Sequence, residues 1–133
     1  MKVNWTAIGA LMGALAVGMG AFGAHGLKSL DPTPEALDWW KTAAHYHLLH
    51  AVALAVVGLL ASQGSQSVRV ERSAGICFLS GIVIFSGTLY AMAVGAPKIL
   101  GAVTPIGGIL LILGWLLLAK CAGSTLSNRM EVE

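Results

Sequence analysis

Four stretches of this chain are apolar and long enough to cross a bilayer, and no other feature of the sequence limits the fold as much. A helix rises about 1.5 Å per residue, so about 20 apolar residues match a hydrocarbon core of about 30 Å. The stretches fall at about residues 5–24, 43–61, 73–94 and 98–119. With short links they use up nearly all of the 133 residues, so 1–133 is expected to form a single four-span membrane domain. Charge agrees: 11% of residues are charged, 56% are hydrophobic and the mean hydropathy is +0.79. A soluble domain carries charge at about 25% of positions. The predicted fold class is an all-α membrane protein, with four transmembrane helices in a bundle and a short interfacial helix before the second span.

A net charge of +2, scattered without a polybasic run, predicts a lipid bilayer as partner and no nucleic acid. Cys77 and Cys121 form no CxxC motif and read as inert thiols. The run from Trp5 to Ala24 is longer than the roughly 7–15 apolar residues of a secretory leader, so it is expected to be the first membrane helix. Small residues recur four apart along it, as Gly9/Gly13, Ala10/Ala14/Gly18 and Ala16/Gly20/Ala24. Such rows let helix backbones approach in lipid. Three rows predict packing on several sides, hence a central helix in the bundle or in a homo-oligomer of bundles.

Thr33-Pro34-Glu35 reads as an N-cap, a proline at the first helical position and an acid suited to that helix end. The short helix it opens carries Trp39 and Trp40 as expected headgroup-level anchors and runs on into span two. Ser62 to Ser67 reads as a polar turn, and Gly95-Ala96-Pro97 ends span three. Span four has two readings. It either starts near Pro97 and kinks at Pro105, which is preferred, or starts at Pro105 under a Thr104 cap and leaves 98–103 separate. Trp5 and Trp115 are expected in the interfacial belt. Lys2, Arg69, Arg72, Lys120 and Arg129 fall on one side of such a bundle and Lys28, Lys41 and Lys98 on the other. That bias puts both termini in the cytoplasm.

With this topology the polar residues inside the spans share one depth, toward the outer leaflet. His25 closes span one, while His45, Tyr46, His47 and His50 lie in the outer part of span two. Ser86, Thr88 and Tyr90 belong to span three and Thr104 to span four. At about 100° per residue, Tyr46, His47 and His50 fall on one face and His45 on the opposite one. The candidate ligand-binding residues are therefore His25, Tyr46, His47, His50, Ser86, Tyr90 and Thr104. His47 and His50 have a spacing that can clamp an ion, but no carboxylate lies at that depth, so no metal or other cofactor is expected. A structural hydrogen-bonded cluster is the preferred reading, ahead of a proton or substrate pathway and of a metal or haem site. No catalytic arrangement is identifiable.

Several motifs then resemble a known family. They are Gly20-Ala21-Phe22-Gly23-Ala24-His25-Gly26-Leu27, Thr42-Ala43, Tyr46-His47, His50-Ala51, Phe85-Ser86-Gly87-Thr88-Leu89-Tyr90, Thr104-Pro105-Ile106-Gly107-Gly108 and Gly114-Trp115. In this order they resemble domain-of-unknown-function family 423, small bacterial inner-membrane proteins related to eukaryotic transmembrane protein 256. The resemblance covers Ala7 to Leu118. It implies four membrane helices and an inner-membrane location, and no established activity, substrate or cofactor. His45 departs from the family pattern, where Gln or Glu is expected. His47 is a weaker match than His50, because Gln can stand there. His25, Tyr46 and His50 remain the best matches.

The functional expectation is a multi-pass inner-membrane protein that is structural or accessory rather than enzymatic, and a candidate homo-oligomer or partner of another membrane protein. The alternatives are binding or transport of a small or lipid-like ligand at the polar cluster, and a metal, haem or redox component using His25 and His50.

Overall fold

The structure, a computed structural model, describes residues 3–63 and 68–130, with 124–130 as backbone only. Lys2 and most of the polar turn at 62–67 lie outside the described residues. The described residues form four long helices and no strand: α1 (Trp5–Ala24), α2 (Pro34–Ser62), α3 (Val68–Ala93) and α4 (Thr104–Met130). Two 3₁₀ turns, Leu27–Leu30 and Lys98–Ala102, precede α2 and α4. Each long helix lies in a stretch apolar enough to cross a membrane.

The helix ends follow local chemistry. Asn4 caps α1, its side chain accepting from the Ala7 amide at 3.0 Å. Thr33 caps α2, accepting from the Ala36 amide at 3.2 Å, with Pro34 at the position where its missing N–H costs nothing. The expected interfacial helix is continuous with span two, within one helix of 29 residues. At the end of α3, Gly95 takes φ +102°, the Ala96 amide donates to the Ala91 carbonyl at 3.0 Å and the Gly95 amide to Met92 at 3.1 Å. These paired bonds form a Schellman motif, which needs a left-handed residue that glycine adopts at no steric cost, and Pro97 then prevents continuation.

The preferred kinked reading of span four is corrected. Residues 98–102 form a 3₁₀ turn and the α-helix begins at Thr104. Pro105 has no N–H to give the Gly101 carbonyl, and its ring would clash there, so the α-helix cannot extend back across it. The chain keeps helical bonds by tightening instead, with the Val103 amide donating to Leu100 at 2.9 Å.

Successive helices are antiparallel neighbours. Gly9 of α1 lies against the backbone of Ala51 and Ala55, and Gly58 of α2 against that of Thr6. Between α3 and α4, Gly81 meets Leu111, Gly107 meets Phe85 and Gly114 meets Phe78. Helices α2 and α3 form the middle of the bundle, with α1 and α4 on its flanks. An apolar cluster around Trp5, Leu54, Phe78 and Leu111 fills the end that holds the N-terminus. A second one, around Leu27, Trp40, Tyr90 and Met92, fills the other end, and Phe85 packs against both.

Two further expectations change. Within a single chain helix α1 is peripheral rather than central: 11% of its apolar window is buried, against 44% for α2 and for α3. A Cβ added at Gly13, Gly18 or Gly20 would meet nothing within 4 Å. The residues of α1 that are covered, wholly or in part, are Trp5, Thr6, Ile8, Gly9, Met12, Gly13, Ala16, Met19 and Gly23, which recur three and four apart. That is one helical stripe, so α1 seats on the bundle along one seam. Neither Trp5 nor Trp40 is a belt residue. Trp5 is buried against Gly75. Trp40 is 5% exposed and its indole N–H donates to the Met19 carbonyl at 2.8 Å, the acceptor a buried tryptophan needs. Trp115 is partly exposed, but its ring packs on Phe78 and His50 in mid-bundle.

Candidate functional site

The polar side chains between the two apolar clusters form four small networks rather than one site. In the first, His50 is buried and its Nδ1 lies 2.7 Å from the Tyr46 carbonyl one turn back. A carbonyl only accepts, so Nδ1 carries the proton and Nε2 is the lone-pair nitrogen. The Tyr46 ring stacks on His50 at 5.6 Å and on Phe85 at 4.5 Å, while its outer side is 39% exposed. His50 also lies edge-on to Trp115 at 6.0 Å. Tyr46 and His50 are thus together, clasped by aromatic rings of α3 and α4.

The second network joins His47 and Tyr90. His47 is 3% exposed, and its Nδ1 is 3.4 Å from the Tyr90 hydroxyl. The Tyr90 ring packs on Trp40 at 4.6 Å. His47 Nε2 is buried without a hydrogen-bond partner.

The third is a single bond. Ser86 is buried and donates to the Ala43 carbonyl of α2 at 2.9 Å. The fourth links α3 to the start of α4. The Thr88 and Thr104 hydroxyls are 2.8 Å apart, and Thr88 lies 2.7 Å from the Ile84 carbonyl. Thr104 in turn lies 3.3 Å from the Leu100 carbonyl, so with one proton each, one hydroxyl donates to the carbonyl one turn back in its own segment and the other donates to that hydroxyl. Thr104 therefore braces the proline-broken start of α4.

His25 does not join these networks. It is the exposed C-terminal cap residue of α1, and among the described residues no side-chain hydrogen bond or ring contact reaches it. The expected grouping of His25 with Tyr46 and His50 is therefore corrected. Helix α1 faces α2 along the seam of Trp40 and Ala51, whereas Tyr46 and His50 face α3 and α4. His45 is exposed, on the face expected for it. His47 and His50 engage different rings, Tyr90 and Trp115 respectively. No group of three or more His, Cys, Asp or Glu gathers as a metal site among the described residues.

Glu71 was absent from the sequence-based candidates. It is buried near the start of α3, and its Oε1 has no hydrogen-bond partner. The signal was present in the spacing: Glu71, Ala74, Phe78, Ile82, Ser86 and Leu89 form the buried stripe of α3. The expected start of span three at residue 73 left Glu71 outside the helix, whereas α3 begins at Val68 and carries it on that stripe.

A family profile described as "protein of unknown function (DUF423)" matches residues 19–108. The chain is 43% identical over 122 residues to the UPF0382 membrane protein YwdK of Bacillus subtilis, covering 92% of this chain and 97% of that one. It is 45% identical over 118 residues to a UPF0382 membrane protein of Staphylococcus epidermidis, covering 89% and 93%. A third relative, a UPF0382 membrane protein of Haemophilus influenzae, is 39% identical over 119 residues, covering 90% and 93%. No solved structure matches.

Proposed function

The chain belongs to the DUF423 family and is a multi-pass membrane protein, and on that premise we propose that it is a non-enzymatic structural or accessory protein of the bacterial inner (plasma) membrane. Residues 1–133 act as one four-span domain with both termini cytoplasmic. The observation that carries this reading is where the mid-depth polar groups spend their hydrogen bonds. Ser86, Thr88, Thr104 and His50 all bond to helix carbonyls or to one another. The Ser86–Ala43 and Thr88–Thr104 bonds run between helices and the other two lie within one helix, so each of these groups already has a protein partner, and taking that partner away would leave a buried polar group unpaired. The outward small residues of α1 offer a lipid-facing surface on which a second copy or another membrane protein could seat.

Purification in mild detergent tests this directly. The expected result is a discrete oligomer or a copurifying membrane protein, with no visible absorbance and no stoichiometric metal. One equivalent of haem or of a transition metal would overturn it.

A second reading, binding of a small polar ligand at the cluster, has one observation in its favour. His47 Nε2 is buried and unpartnered, and a ligand or water between α2 and α3 would satisfy it.

A further inference from the structure

We propose that the groove between the C-terminal half of α1 and the N-terminal half of α2 is a binding site for one anionic phospholipid, in the leaflet that faces the α1–α2 link. The groove has a volume of about 460 Å³. That falls in the range of about 300–1,000 Å³ typical of small-molecule sites. Gly20, Ala24 and Ala44 line its apolar walls, and Lys28 and Lys41 line it as well. It is distinct from the polar networks of α2, α3 and α4 and does not depend on their role.

Its construction explains why space persists there. Trp40 forms the floor, held by its bond to the Met19 carbonyl and by ring contacts with Phe22 at 5.2 Å and Tyr90 at 4.6 Å. Gly23 lets α1 come down onto that indole, since a Cβ there would strike the ring. One turn earlier, Gly20 leaves the wall open, because a Cβ there would meet nothing within 4 Å. The result is an apolar channel along the helices with a fixed floor.

Depth and charge select the occupant. Helix α1 ends at Ala24 after 20 residues, about the length that spans the hydrocarbon core. Gly20 to Lys28 therefore sit at the hydrocarbon–headgroup boundary, and so does Lys41 in the facing helix. An acyl chain fits the apolar part of the groove, and a phosphate at its mouth meets two ammonium groups. Three carboxylates lie near these lysines. Glu35 is engaged by Lys98 at 2.6 Å and does not compete. Asp38 is 3.9 Å from Lys41, but the two side chains are 79% and 77% exposed, and an exposed pair of this kind is weak enough to yield to a phosphate. Asp31 closes the 3₁₀ turn and does not line the groove. A neutral lipid would fill the apolar part but gain less from the lysines, so the site discriminates by headgroup charge.

Native mass spectrometry of the full chain in detergent, titrated with phosphatidylglycerol or phosphatidylcholine, tests the proposal. Wild type should retain one phosphatidylglycerol in clear preference to phosphatidylcholine. A surface lysine contributes about fivefold to anionic-lipid binding, so Lys28→Gln and Lys41→Gln should each weaken phosphatidylglycerol about fivefold and the double variant about 25-fold. A Cβ at Gly20 meets nothing within 4 Å, and the rest of a leucine side chain would occupy the groove, so Gly20→Leu should abolish retention of both lipids while thermal stability stays near the wild-type value. Lys120→Gln, at the opposite end of the bundle, should change nothing. Inorganic phosphate at millimolar concentration should not displace the lipid, because it lacks the chain. The proposal fails if the double lysine variant keeps the headgroup preference, if Gly20→Leu binds as wild type does, if Lys120→Gln is equally weakened, or if free phosphate competes.

Discussion

His50 sits where rings of α2, α3 and α4 meet. It is buried, gives its Nδ1 proton to the Tyr46 carbonyl, and sits among the rings of Tyr46, Phe78 and Trp115. Replacing it by alanine removes a hydrogen bond and the rings' common partner. His50→Ala is expected to lower stability by roughly 1–3 kcal/mol, read as a lower melting temperature in detergent. His50→Gln, which can donate at a similar reach, should recover much of that loss; full loss with Gln would mean the imidazole does something beyond bracing. At this scale the sequence was partly legible. The pairing of Tyr46 with His50 followed from spacing alone, as did the outward position of His45. His25 was misplaced because depth says how high a residue sits but not which flank it faces. Glu71 was missed because span three was expected to begin at residue 73, which left the acid in the link, whereas α3 begins at Val68.

Helices α1 and α2 meet where glycine removes a side chain, and those positions can be separated by experiment. A Cβ at Gly9 would lie against the backbone at Ala51 and Ala55, and one at Gly58 against Thr6. Gly9→Leu and Gly58→Leu should each separate the two helices and sharply lower the yield of folded protein in detergent. Gly13→Leu, four residues from Gly9 and with nothing within 4 Å, should leave yield and melting temperature near wild type. Equal damage from all three would show that α1 is enclosed on the side the bundle leaves open. The small-residue rows suggested several packed faces, yet only one stripe is covered within the chain. Periodicity of glycine and alanine marks where close approach is permitted, whereas the helix docks where Trp5, Met12 and Met19 supply surface to bury. The break before α4 was similarly ambiguous: Pro105 forbids an α-helical bond in either reading, and only the tight turns after Pro97 decide between them.

For the whole molecule, the four membrane-spanning helices were legible because apolar length and short links leave few alternatives, whereas their order in the bundle was not, since it depends on which faces bury surface. The Lys98–Glu35 pair, at 2.6 Å, ties the start of α2 to the turn before α4 and fixes that these two segments share an end. Orientation in the membrane can be measured in a variant whose own cysteines are replaced. Ser29→Cys should react with a membrane-impermeant maleimide in intact cells, while Arg69→Cys should react only after the membrane is opened. The reverse pattern would invert the topology. The lengths of the first two helices have a mechanical consequence as well. Helix α1 has 20 residues and α2 has 29, so α1 spans about 30 Å and α2 about 43 Å. In a thicker bilayer α2 has apolar and amphipathic length to spare, but α1 has none, and its capped ends cannot be drawn inward without burying Asn4 or Lys28. The short helix is then the gauge of the pair. Any thickening of the membrane pulls it along the seam, and the bond from Trp40 to the Met19 carbonyl is a crosspiece that takes the load.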